Sequence, residues 1–184
     1  ANARTKVRGP TGYRTYNRKF RDIIDGLSNT IMFGENTSGL GGRAILGGVL
    51  RNQGVEVIDT PNTCLLRVDP ATREYIATPS LNRGQRWAAG TCNYSSVNTI
   101  LPPNSPACTV NTVFNAPGQY PMVSFHPGGV HAGMSDGSVK FVTESIDTGN
   151  LAALPPDVTG NTQSPYGIWG ALRSIAGGEV VGEF

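Results

Sequence analysis

The sequence predicts an α+β, β-rich fold: an antiparallel sheet organised round a central hairpin at about 121–143, with short helices and long loops. Three observations lead there. Asp136-Gly137 separates two short apolar segments, 130–134 and 139–142, and a DG pair in that setting is the strongest local hairpin signal, its two turn residues taking positive φ. Gly 24 and Pro 13 punctuate the 184 residues, while only 15% are charged, a profile that suits a loop-rich β protein. Proline following an N-cap residue, as in Thr60-Pro61 and Asp69-Pro70, signals helical pieces that are short.

Within the hairpin, Val130, Ala132 and Met134 share one face of the first strand, and Val139 and Phe141 share one face of the second. His131 and Lys140 then turn outward. An extended 130–134 spans roughly 17 Å, which leaves His126 and Asp136 near opposite ends of the ribbon and unable to act as a contacting pair. Asp136, with Gly137, shapes the turn through bonds to nearby backbone N–H groups. His126 precedes Pro127, is restricted to extended backbone, and secures the chain entering the hairpin.

Residues 1–21 form a basic extended arm: they carry seven Lys and Arg, no acidic residue, and Gly-Pro and Gly breaks that exclude a helix. The rest, 22–184, reads as a single β-rich globular domain with a loop excursion at about 91–119. Asp25-Gly26 makes a turn supported by Asn29, followed by a short strand at 30–33. Another short strand is expected at 43–49. Thr60-Pro61 and Asp69-Pro70 suggest capped short helices at 61–67 and 70–75. The stretch 85–88 reads as a strand with Trp87 in a core or interface, and 120–125 as the strand feeding the hairpin. Short helices are expected at 145–154 and 165–175, with a last strand at 179–181.

Charge is unevenly spread. Residues 1–100 hold 13 Lys+Arg against 7 Asp+Glu, and 101–184 hold 2 against 6. Either the two halves present complementary faces that favour head-to-tail association, or they mix in one domain and cancel. No recognition helix or RNA-binding aromatic motif accompanies the basic residues, so no nucleic-acid partner is expected. No run of eighteen apolar residues is present, so this segment makes no membrane contact. Neither a signal peptide nor an initiator Met is seen, which suits a mature or trimmed chain.

Of the three cysteines, Cys92 and Cys108 bracket a polar, proline-rich loop and are the expected disulfide, worth roughly 3 kcal/mol, with Cys64 left over. No cysteine pair has zinc-ligand spacing and the histidines lie on a ribbon apart from them, so no metal site is expected. Asp25, Asn29 and Glu35 supply oxygens for calcium, but their spacing matches no EF-hand loop, and no cofactor is expected beyond that alternative. Asn36 and Asn93 head N-glycosylation triplets. Ser124, His126, His131, Ser135 and Asp136 are the ingredients of a hydrolase, yet they lie along one ribbon without a nucleophile elbow, so no enzymatic activity is expected.

Four stretches together resemble one family. They are 25–35 from Asp25-Gly26 to Glu35; 98–106 with Cys108; His126, nine residues, then Asp136-Gly137; and 164–172 with 177–181. They are similar to a large, mostly uncharacterised family of secreted planctomycete proteins whose precursors begin with a prepilin-type leader and helix. The resemblance implies a pilin-like globular domain without its N-terminal helix, at the cell surface or outside the cell, where it assembles with copies of itself as a structural filament subunit. Arg4, Arg8, Tyr13, Arg14, Tyr16 and Trp169 are the expected subunit contacts. Two alternatives remain open: an envelope-anchored module holding a glycan near Trp87, Tyr94 and the proline loop, and a secretion-system pseudopilin.

Overall fold

A computed structural model describes residues 8–11, 18–156, 162–179 and 182. It shows a small α+β domain of short helices, small antiparallel sheets and long loops. The hairpin comprises β6 (Gly129–Met134) and β7 (Val139–Thr143), and its third partner is β1 (Ile31–Gly34), giving the antiparallel order β1-β6-β7. The expected feeder strand at 120–125 is outside this sheet. It runs extended beside it instead, with the Val123 amide donating to Glu35 O.

The turn differs from a two-residue loop. Only Gly137 takes positive φ, at 91°, and the Met134 amide donates to Ser138 O at 2.8 Å while Gly137 N–H donates to Met134 O. That longer loop sets the register: Val130 faces Val142, His131 faces Phe141, and Ala132 faces Lys140. Residues directly opposite share a face. The inner face is therefore Val130, Ala132, Met134 and Val142, whereas Val139 and Phe141, expected to be buried, stand on the outer face with His131. Lys140 lies on the side of Ala132 rather than outward.

The principal core joins that inner face to Ile31, Met122, Trp169 and Leu172. A Cβ on Gly34 would collide with the Met122 side chain, which is why β1 ends in glycine over this core. Trp169, on α3 (Gly167–Ala171), is fully buried and its indole N–H donates to Leu101 O at 2.8 Å. It is thus a core residue and not a subunit contact, because burial of so large a ring dominates local packing.

A second core gathers Val57, from α1 (Glu56–Asp59), with Cys64, Leu101 and Cys108. Cys64 lies in the 3-10 helix Pro61–Arg67, and Cys108 in β4 (Cys108–Thr109), which pairs with β5 (Gly118–Gln119). The disulfide joins Cys64 and Cys108, 44 residues apart with Cα atoms 5.9 Å from one another. The expected partner Cys92 is free: it opens α2 (Cys92–Ser95) and packs against the Val49, Ala107 and Tyr120 cluster. Accordingly 91–119 is not a surface excursion along its whole length. Residues 103–109 are buried, held partly by the Tyr75 hydroxyl, which accepts the Ala107 amide at 2.7 Å.

Several local expectations change for identifiable reasons. Residues 70–73 form the turn between β2 (Val68–Asp69) and β3 (Glu74–Tyr75), because Asp69 caps the Ala71 amide as a turn residue and Arg73 takes φ 55°. Residues 85–88 follow Gly84, at φ 69°, and turn again where the Ala89 amide donates to Arg86 O at 3.1 Å, so they pair with no strand and leave Trp87 92% exposed. Region 43–49 contributes isolated bridges only. At 145–154 Asp147 accepts the amides of Gly149 and Ile168, which replaces a helix by a looped contact with α3. The strand expected at 179–181 lies largely outside the described residues.

Candidate functional site

At the end of the sheet distant from the Asp136 turn, the chain leaving β1 runs beside β6. Glu35 N–H donates to His131 O at 3.3 Å, and the His131 amide donates back to Glu35 Oε2 at 2.7 Å. This local pairing points the other carboxylate oxygen along the outer face of β6. His131 itself projects there by strand alternation, its ring edge-on to Phe141 at 5.2 Å between centroids.

His126 arrives from the loop that precedes β6. Asn104, at φ 60°, accepts the Ser124 amide at 2.8 Å and donates to Glu144 Oε1 at 2.7 Å. Ser124 Oγ in turn accepts the His126 amide at 3.2 Å, and Pro127 with Gly128, at φ 78°, reverses the chain into β6. His126 Nε2 and His131 Nδ1 each stand 3.4 Å from Glu35 Oε1. The two rings meet edge-on at 4.6 Å. Among the described residues, these three are the group of His, Cys, Asp and Glu whose ligand atoms converge, all within 4.8 Å. Beside His126 opens a groove of about 450 Å³, lined by Leu40, Ile45, Phe125 and Glu144 among others.

Burial alone would raise the Glu35 carboxyl, but the His131 amide, the Ser124 hydroxyl and the two imidazoles outweigh it and hold the group below the usual carboxylate range. It is an anion placed between two imidazoles on a half-exposed surface. Such an arrangement can hold a cation or exchange protons between rings.

The structure thus brings His126 to Glu35 and His131 rather than to Asp136. Asp136 bonds the Ser138 amide at 2.9 Å and the Ser138 hydroxyl at 2.7 Å, a turn role. The three residues considered for calcium have other partners. Asp25 accepts the amides of Gly177 and Gly178 at 2.7 and 3.0 Å, beside Gly26 at φ 98°, while Asn29 Nδ2 reaches the Asp25 carbonyl. Asp25 therefore docks the C-terminal segment, and Glu35 belongs to the histidine cluster.

Arg8 is engaged within its own chain: its guanidinium donates to Ser174 Oγ at 3.3 Å and lies 3.8 Å from Glu179. Arg4, Tyr13, Arg14 and Tyr16 fall outside the described residues. Tyr94 is buried, stacked on Phe114 with Arg86 over its ring, so it does not line an open groove with Trp87. Asn93 is fully buried and Asn36 bonds Tyr94 O and Arg83, which leaves neither amide presented for glycosylation. The residues that sequence reasoning left out of the cluster are His131 and Glu35, together with the supports Ser124 and Asn104. Alternation placed His131 outward and Glu35 stood out as a carboxylate, but only the β1 to β6 pairing joins them.

No helix among the described residues is long and apolar enough to cross a membrane. A family model matches residues 1–149, a span that includes all three strands of the main sheet and all three residues of the cluster. No curated protein and no solved structure matches the chain.

Proposed function

The chain belongs to the family matched over residues 1–149, described as a protein of unknown function (DUF1559), and we propose that it is a pilin-like structural subunit of an extracellular or cell-surface homopolymeric filament. The observation that carries this reading is the outer face of the main sheet. Phe33 is 68% exposed, Val139 67% and Phe141 42%, and they adjoin one another through the Phe33 to Gly133 to Val139 and His131 to Phe141 pairings. A contiguous apolar sheet face left uncovered by the described residues is an association surface.

Its occupant is a second copy of the chain. β1 and β7 are the outer strands of this sheet, so the face continues to both margins, and repetition of one contact by identical subunits generates a polymer when the rotation does not close. The uneven charge supports this less than composition alone suggests: Arg8 with Glu179 and Arg73 with Glu144 pair the basic half with the acidic half inside the chain. The disulfide between Cys64 and Cys108 favours an oxidising compartment, in keeping with a location outside the cytoplasm. Such a role is architectural and requires no catalysis.

Sedimentation of the purified chain over a range of concentrations, with electron microscopy of the same samples, tests the reading. Concentration-dependent assembly into regular filaments is expected, and it should be lost in Phe33→Ser/Phe141→Ser with the circular dichroism spectrum unchanged. A chain that stays monomeric at every concentration and yields no filaments contradicts it.

A further inference from the structure

We propose that Glu35, His126 and His131 form a binding site for a divalent transition-metal ion of the zinc class. The three side chains come from three separate places, the exit of β1, the loop before β6, and β6 itself. Two imidazole nitrogens and one carboxylate oxygen form a donor set suited to zinc and its neighbours, and unsuited to calcium or magnesium, which take oxygen ligands.

The distances suit a metal site. A neutral or charge-assisted N–H···O bond lies at about 2.7–3.2 Å, and both ring nitrogens stand outside that range at 3.4 Å from the same Glu35 oxygen. For a tetrahedral ion with bonds of about 2.0–2.1 Å, neighbouring ligand atoms stand about 3.3–3.4 Å apart. The observed separations match the second case. The remaining distance, between the two nitrogens, is at most 4.8 Å and closes by rotation of the His126 side chain, which is 53% exposed.

The carboxylate is also oriented as a ligand. Its Oε2 is committed to the His131 amide, so Oε1 alone faces both rings. Backbone bonds of this kind fix ligand direction and raise affinity in metal sites. Three protein ligands leave a coordination position open on this partly exposed face. The proposal stands apart from the filament reading, since it concerns the single chain.

The test uses the chain without an affinity tag, titrated calorimetrically with Zn2+ alone, and with Co2+ followed by its visible absorption. A single saturable site and a Zn2+-dependent rise in melting temperature are expected. Second-sphere changes already weaken metal sites by about 10–100-fold, so His126→Ala, His131→Ala and Glu35→Gln should each weaken binding by at least about tenfold. Glu35→Gln keeps an acceptor for the His131 amide and His126 is largely exposed, so these two variants report on binding with the fold retained. Asp136→Asn, at the far end of the hairpin, should bind as the parent does. Absence of saturable Zn2+ and Co2+ binding, or binding undiminished in His126→Ala/His131→Ala, overturns the proposal.

Discussion

The carboxylate of Glu35 accepts the backbone N–H of His131 at 2.7 Å, across 96 residues of sequence. That bond extends the β1 to β6 ladder beyond its last strand pair, using a side chain where a carbonyl would otherwise serve.

Removing the acceptor should therefore loosen the sheet as well as the cluster. Glu35→Ala is expected to cost about 1–2 kcal/mol, the range for orphaning a half-buried amide, and Glu35→Gln clearly less because its carbonyl oxygen accepts the same bond. Urea unfolding of the metal-free chain checks the order of the two variants.

The disulfide closes a long loop. Cys64→Ser/Cys108→Ser is expected to lose about 4 kcal/mol on the loop-entropy estimate, whereas Cys92→Ser should change stability by less than about 1 kcal/mol. Mass mapping of the unreduced chain should find the Cys64 to Cys108 peptide pair; a Cys92 to Cys108 pair would contradict the structure.

Trp169 fills the principal core and satisfies the Leu101 carbonyl. Trp169→Ala is expected to cost about 3–5 kcal/mol, and Trp169→Phe less, since it keeps most of the apolar volume but leaves that carbonyl unpaired. Thermal melts of both variants, read by far-ultraviolet circular dichroism, rank them.

Asp136 predicts a response to acid. The Ser138 hydroxyl and amide hold its carboxyl below the usual value, so the ionised form supports the folded turn above about pH 4, and that support is lost as the pH falls through the folded value. Melting temperature followed from pH 6 to pH 2 should fall less steeply in Asp136→Asn, which keeps an oxygen for the same turn but does not titrate at that position. Equal slopes would show that this carboxylate has no part in the response.

The readable features are those determined by neighbours in sequence. Asp136-Gly137 announced the hairpin, Asp25-Gly26 the turn before β1, and Pro61 the start of the helical segment. Even there a one-residue difference in turn length moved Phe141 to the outer face, because register sets the side of every residue that follows. Cys64 with Cys108 and Glu35 with His131 are separated by 44 and 96 positions, and no local pattern links them. Trp87 misled by type: large aromatics are usually buried, but it sits in a turn closed by the Ala89 amide on Arg86 O and has no strand partner.

Trp169 lies beyond residue 149, where the family match ends, yet its ring occupies the space enclosed by β1, β6 and β7. The boundary of the matched segment is therefore not a structural boundary. A fragment stopping there would have a socket with no plug, and its open rim would be apolar. Protein prepared for structural or binding work should retain α3 and the turn that follows it.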